Sequence, residues 1–194
     1  MSYTNFTETE QKILLAAQGI FLKKGYTGAR MQEIANAAGI NKAMLHYYFR
    51  SKLKLFEAIF KSVMGSLTTQ LFEIMESDTE FFEKIYMLFD KHISFLLAHD
   101  EMPAFILSEA QKRPEILAMF IEDFNPLRQT TFMQQIQEKV AQGEIYPTDP
   151  VDLLLNLLSM SIFPVAAAPI LKAVYLQNDE ARYAEMMERR KKTV

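Results

Sequence analysis

Residues 31–56 read MQEIANAAGINKAMLHYYFRSKLKLF, and the spacing within them decides the fold. Met31, Ile34, Ala35 and Ala38 share one face of a short helix, because residues three and four apart are neighbours on an α-helix. Gly39 then supplies the left-handed conformation that a sharp turn requires. Asn41 is a suitable N-cap for a third helix running to Tyr48, its side-chain oxygen accepting a free N–H of the first turn. On that helix Leu45, Tyr48 and Phe49 lie toward one side, while Ala43, His46, Tyr47 and Arg50 face away, at about 100° per residue. Ser51 caps a longer fourth helix, whose apolar positions Leu55, Phe56, Ile59, Phe60, Val63, Leu67, Leu71 and Ile74 keep the helical period to about Met75.

Two short helices joined by a glycine turn, the second with a polar outward face, meet the physical requirements of a helix-turn-helix. The earlier helix braces the later one so that its outer face enters a major groove about 12 Å wide. The outward set suits DNA: a small residue for close approach, a polar ring for a base edge, a phenol and a guanidinium for phosphates. Lys42, on the first turn, reaches a guanine edge or a phosphate. Tyr48 fits either the core edge or a backbone contact.

Upstream, Thr7 and Glu10 form a capping box, and Ile13, Ala16, Ala17, Ile20 and Phe21 mark a first helix ending at Gly25. Downstream, the pattern predicts helices near 79–99, 102–111, 114–123, 126–142, 150–163, 165–176 and 179–190, with breaks at Ser77 and Asp78, Pro103, Pro114, Pro126, Gly143 to Pro150, Pro164 and Asn178. Six Gly against twelve Met and fifteen Phe leave little turn material for a β-rich chain. The expected fold is all-α: an N-terminal three-helix helix-turn-helix domain (1–51), joined by a long helix to a helical bundle (52–194), to which the resemblance described below assigns dimerisation and ligand binding.

The net charge of -3 is unevenly spread: residues 1–60 hold eight Lys or Arg against four Glu, and the remainder holds 13 against 20 acidic residues. Only the N-terminal part is suited to meet a polyanion. The chain has no Cys, which excludes thiol catalysis, iron–sulfur clusters and cysteine-bound zinc. With only His46, His92 and His99, and no HExxH, GxSxG or glycine-rich phosphate loop, an enzyme has no residues to stand on and no metal or cofactor is expected. Met1 to Gln11 is polar and acidic, unlike a secretory signal, so a cytoplasmic location is expected. Leu153 to Leu171 is free of charge, yet Asn156, Ser159, Ser161, Pro164 and Pro169 interrupt it, and a buried helix or a subunit interface is the expectation in place of a membrane span.

Residues 12–56 resemble the DNA-binding domain of the TetR family of transcriptional regulators. The resemblance rests on Ile13 with Ala16 and Ala17, Phe21, the Gly25-Tyr26 corner, Ile34-Ala35, Ala38-Gly39-Ile40, Leu45, Tyr47, Phe49 and the Ser51-Lys52 step. It implies a homodimer on a palindromic double-stranded operator, responsive to a small molecule, with repression the commonest outcome. Arg30, Gln32, Asn41, Lys42, Ala43, His46, Tyr47, Tyr48 and Lys52 are then the DNA-binding candidates, Lys52 matching a phosphate-contacting lysine. Two departures stand out: Ala29-Arg30 replaces the usual hydroxyl that caps the second helix, so Arg30 takes over the phosphate contact, and His46 stands where Tyr is most frequent.

The family also implies a four-helix dimer interface, placed here on 126–142 and 150–163 with Leu153, Leu154, Leu157, Leu158 and Ile162 as its residues; intramolecular core is the competing reading of each. Met and Phe on the middle helices suit an adaptable apolar cavity. Leu71, Phe89, His92, Phe105, Glu109, Phe124 and Met160 are its candidates, with a mainly apolar effector. A satisfied core histidine and a surface glutamate are the plainer readings of His92 and Glu109. A helical adaptor that has lost DNA binding is the alternative to a regulator.

Overall fold

A computed structural model describes residues 6–192, apart from the side chains of Leu117, Phe120, Ile121 and Asp123. The described residues contain no strand. Their helices are α1 (Glu8–Gly28), α2 (Met31–Ala37), α3 (Lys42–Tyr48), α4 (Lys52–Glu76), α5 (Phe81–Ala98), α6 (Met102–Lys112), α7 (Pro114–Phe124), a 3₁₀ segment (Asn125–Gln129), α8 (Thr131–Ala141), α9 (Pro150–Ala166), α10 (Ala168–Tyr175) and α11 (Glu180–Lys191). The chain forms two compact units, one running to Ser66 and including Phe105–Met119, the other made of Leu67–Ala104 and the chain from Phe120 onward. Packing therefore divides the chain at a different place from the functional boundary expected at 51/52.

In the first unit the local signals act as the sequence implies. Thr7 and Glu10 close the capping box, the Thr7 N–H donating to Glu10 Oε2 at 2.8 Å. α1 is interrupted at Gly25, where φ is 69° and a Cβ would lie 3.2 Å from Glu109 Oε1. Gly39 also takes φ 69°, turning the chain between α2 and α3. The Met44 N–H donates to Asn41 Oδ1 at 2.8 Å and the Lys54 N–H to Ser51 Oγ at 3.1 Å, so both expected caps are made. Ile13, Ala17, Phe21, Ile34, Ala35, Leu45, Leu55 and Phe56 are buried and fix the three short helices against the start of α4.

In the second unit α5 packs on α9, and α8, α10 and α11 pack around them. Phe89, Ile93, Leu96, Val165, Tyr183 and Met187 form one buried cluster. Two expected boundaries are corrected. The single helix expected over 126–142 is broken at Thr130, which is extended (φ -99°, ψ 162°) and fully buried. α8 starts afresh there because the Glu76 carboxylate accepts from the Thr131 N–H (3.1 Å) and its hydroxyl (2.7 Å), a favourable place for a negative charge. The helix expected to stop at Pro164 instead runs through it to Ala166, and the break falls at Ala167.

Lys84, on α5, is fully buried despite its charge. Its ammonium donates to Ser77 O (2.7 Å), Gln135 Oε1 (2.8 Å) and Met75 O (3.3 Å), closing the C-terminal end of α4 and tying it to α8. Burial lowers its pKa below the ordinary lysine value. Among the described residues no single helix is long and apolar enough to cross a membrane; α9 and α10 together have the length and composition but are bent by 69°.

Replacing Lys84 by Met keeps the stem's packing and strips three buried acceptors of their donor. The expected loss of stability is about 1–3 kcal/mol, read from urea unfolding midpoints. An unchanged midpoint would show that these bonds contribute nothing net.

Candidate nucleic-acid interface

The outward face of α3 is built by its own inward anchors. Leu45 is fully buried and Phe49 nearly so, which leaves Lys42, Ala43, Met44, His46 and Tyr47 exposed. Tyr47 is 81% exposed, far more than a phenol ring retains in a core position. Tyr48 is half-buried, its ring edge-on to Tyr47 at 5.4 Å, which leaves both readings of it standing. Asn41 spends its oxygen on the cap and keeps its amide N–H groups as donors.

Electrostatics separate this face from the rest of the unit. Lys12, Lys24 and Lys54 are each engaged by a glutamate, at 2.7, 2.8 and 2.6 Å from Glu8, Glu33 and Glu57. The Lys24 partnership also holds the Glu33 carboxyl below its usual pKa. Lys42, Arg30 and Arg50 are exposed and enter no ion pair among the described residues. Lys23 on α1 and Lys61 on α4 are likewise exposed and enter no ion pair among the described residues, but α3 is the helix on which a free cation, Lys42, stands with no acidic residue in the element. Arg30 stands at the N-cap of α2 with no side-chain cap bond, as the missing hydroxyl implies. Gln32 is exposed on the first turn of α2, and its amide donates to Asn36 Oδ1 at 2.9 Å.

Lys52 behaves differently from the other candidates. Its ammonium donates to Tyr26 O (2.7 Å), Ala29 O (3.0 Å) and Thr27 O (3.4 Å), and lies 4.6 Å from the centre of the Tyr26 ring. All three protons are directed at the corner between α1 and α2, and desolvation lowers the pKa. With all three engaged, the ammonium has no proton to spare for a phosphate. The guanidinium of Arg113, which sequence reasoning missed, lies 4.4 Å from the same ring and donates to Thr27 Oγ1. Glu109 faces that guanidinium at 3.5 Å and is 5% exposed, so the expected surface glutamate is a buried partner of the corner.

The seven residues expected to line one cavity are distributed over both units: Phe105 and Glu109 in the first; Leu71, Phe89, His92, Phe124 and Met160 in the second. Phe105 packs on Phe56 at 6.0 Å. Leu71 and Phe89 are buried, Phe124 is half-buried and Met160 is 40% exposed. His92 is the satisfied core histidine, its Nδ1 2.7 Å from Ser161 Oγ, while that hydroxyl donates to the carbonyls of Leu157 and Leu158. Of the interface candidates, Leu157 is 6% exposed within one chain and belongs to the core, whereas Leu153, Leu154, Leu158 and Ile162 are half-buried. The apolar residues left exposed are instead Val151, Leu155, Met160 and Phe163 on α9 and Ile170, Val174 and Tyr175 on α10. α8 presents Gln134, Gln137 and Glu138 outward.

A three-helix unit with a braced, cationic third helix has the form of a DNA-binding helix-turn-helix, and comparison with known proteins says what it is similar to. Residues 13–59 match the family model described as bacterial regulatory proteins, tetR family. The chain is 24% identical over 183 residues to a probable HTH-type transcriptional regulator, YttP, of Bacillus subtilis, spanning 92% of this chain and 87% of that protein. The solved structure of a putative fatty acid metabolism regulator of Clostridium perfringens superposes with a TM-score of 0.71 at 19% identity, covering 93% and 94% of the two chains. AibR, solved in complex with isovaleryl coenzyme A and operator DNA, superposes at 0.63 with 24% identity, covering 81% and 86%. Residues 13–59 thus resemble the DNA-binding region of tetR-family regulators, and the chain shares the all-α fold of the solved regulators it superposes on; the proteins it matches are regulators, not enzymes.

Two outcomes follow from this geometry. Lys52→Met should lower stability by about 1–3 kcal/mol, because three carbonyls lose a charged donor, while Lys42→Ala should leave it within about 0.5 kcal/mol; equal effects in thermal unfolding would contradict the division drawn between them. His92 has a pKa lowered from 6.5 to about 4 by burial. Between those values the unfolded chain binds a proton that the folded chain refuses, so stability is full above about pH 6.5 and falls as the pH drops toward 4, by up to about 1.4 kcal/mol per pH unit. The difference between the parent chain and His92→Gln, followed by urea unfolding at stepped pH, should carry that slope, and parallel profiles would contradict it.

Proposed function

We propose that this protein is a TetR-family regulator, a homodimeric repressor that binds a palindromic operator through α3 and is released by a small, mainly apolar effector. The single observation that carries the DNA reading is the exposed, uncompensated set Lys42, His46 and Tyr47 on a helix whose inner face is locked by Leu45 and Phe49. Arg30, Gln32, Asn41, Ala43 and Tyr48 surround that set and make the supporting contacts. Lys52 holds the corner from which α2 and α3 start, and it reaches a phosphate only by giving up a carbonyl.

Dimerisation follows from the size of the motif, since one recognition helix reads only a few base pairs and two half-sites multiply specificity. The exposed apolar residues of α9 and α10 are the surface that supports it. For the effector, the second unit offers a largely apolar interior in which His92 and Ser161 form one buried polar pair. The AibR complex favours an acyl thioester as the class to test. The effector must prefer an arrangement in which the two recognition helices no longer match the operator spacing, because a ligand with no such preference shifts nothing. A regulator of this kind acts in the cytoplasm, with the DNA.

A gel shift with DNA flanking its own gene tests the reading. The parent chain should bind with an affinity that falls steeply as salt rises, and Lys42→Ala combined with Tyr47→Ala should abolish the shift without changing thermal stability. Retained binding by the double variant would remove α3 from the interface.

A further inference from the structure

Pro164 lies inside α9, in the turn before the 69° bend to α10. Proline has no N–H, so the carbonyl four residues earlier, that of Met160, loses its helical donor, and the pyrrolidine ring crowds it as well. The structure supplies a replacement from another helix: Arg190 Nη2 donates to Met160 O at 2.7 Å. One face of α11 does more than this. Tyr183, seven residues before Arg190 and therefore on the same side of the helix, donates its hydroxyl to Pro164 O at 3.2 Å, in the last turn of α9. Met187 lies between them and is buried in the core cluster.

We propose that Arg190 is a positioning residue: it makes good the hydrogen bond that Pro164 removes, and with Tyr183 it fixes the bend between α9 and α10 and so the shape of the self-association face. That face has one part on each side of the bend, Met160 and Phe163 on α9 and Ile170 and Val174 on α10, all at least 40% exposed. Two apolar patches on separate helices complement a second copy of the chain only if the angle between them is held. This consequence rests on the dimer reading above; the replaced hydrogen bond does not.

The arrangement makes a specific demand on a double-mutant cycle. Pro164→Ala restores an N–H that takes the Met160 carbonyl, so Arg190 should matter on the parent background and cease to matter on the Pro164→Ala background. The full-length chain is compared as parent, Arg190→Ala, Pro164→Ala and the double variant, by urea unfolding and by sedimentation equilibrium. Arg190→Ala alone should weaken self-association about tenfold or more and lower the unfolding midpoint, Arg190→Lys should recover part of both, and adding Pro164→Ala should restore both. An equal loss from Arg190→Ala on both backgrounds overturns the proposal, because it makes the arginine an ordinary packing residue. A parent chain that stays monomeric at all concentrations overturns the dimer reading and the consequence drawn for the interface, while non-additivity in the unfolding cycle still supports Arg190 as the substitute donor.

Discussion

The ammonium of Lys52 and the three carbonyls it binds hold the DNA-binding end of this protein together. Gly25 breaks α1 in a left-handed conformation, and the chain then runs through Tyr26, Thr27 and Ala29 before α2 begins. Carbonyls at such a corner have no helical donors and need others. Lys52, the first residue of α4, provides them, so that the start of the long helix and the entry to the recognition motif become one piece. Tyr26 is enclosed by Phe21, Phe56, Lys52 and Arg113 and keeps the corner closed around the ammonium. With the corner fixed, Leu45 and Phe49 can seat α3 with its polar side outward.

The same solution recurs where helices end or are interrupted. Lys84 closes the end of α4 through Met75 and Ser77, and Arg190 serves the carbonyl that Pro164 leaves free. In each case a long cationic side chain delivers protons to backbone oxygens that have lost, or never had, a helical donor. A cation at a helix C-terminus also lies at the negative end of the helix dipole. Cations in this chain therefore differ in role: some are structural, some are neutralised by glutamate, and Lys42, Arg30 and Arg50, on and beside the recognition face, enter no ion pair among the described residues.

Local signals made the helix-turn-helix legible in the sequence. The Thr7–Glu10 box, Gly39, Asn41 and Ser51 each act within four residues, and the alternation of anchors and exposed positions on α3 follows the helical period. What was not legible depends on partners distant in the chain. Lys52 is a phosphate ligand or a corner clamp according to where Tyr26 O and Ala29 O lie, and no spacing rule gives that. Lys84 could have been found, because it falls in register with Phe81, Leu88, His92 and Leu96 on the buried face of α5. α9 is apolar along most of its length, so its period does not say which side faces the core; Leu157 stood between interface and core for that reason. Pro164 read as a stop because the donor that compensates for it is on α11.

The central claim is that the uncompensated face of α3, presented twice in a dimer, reads a specific DNA sequence. Selection of binding sites from a pool of random duplexes by the purified full-length chain tests it most directly. The account predicts enrichment of an inverted repeat with half-sites about one helical turn of DNA apart, or a multiple of it. Failure to enrich any sequence, at a salt concentration where the chain still binds DNA non-specifically, would contradict it.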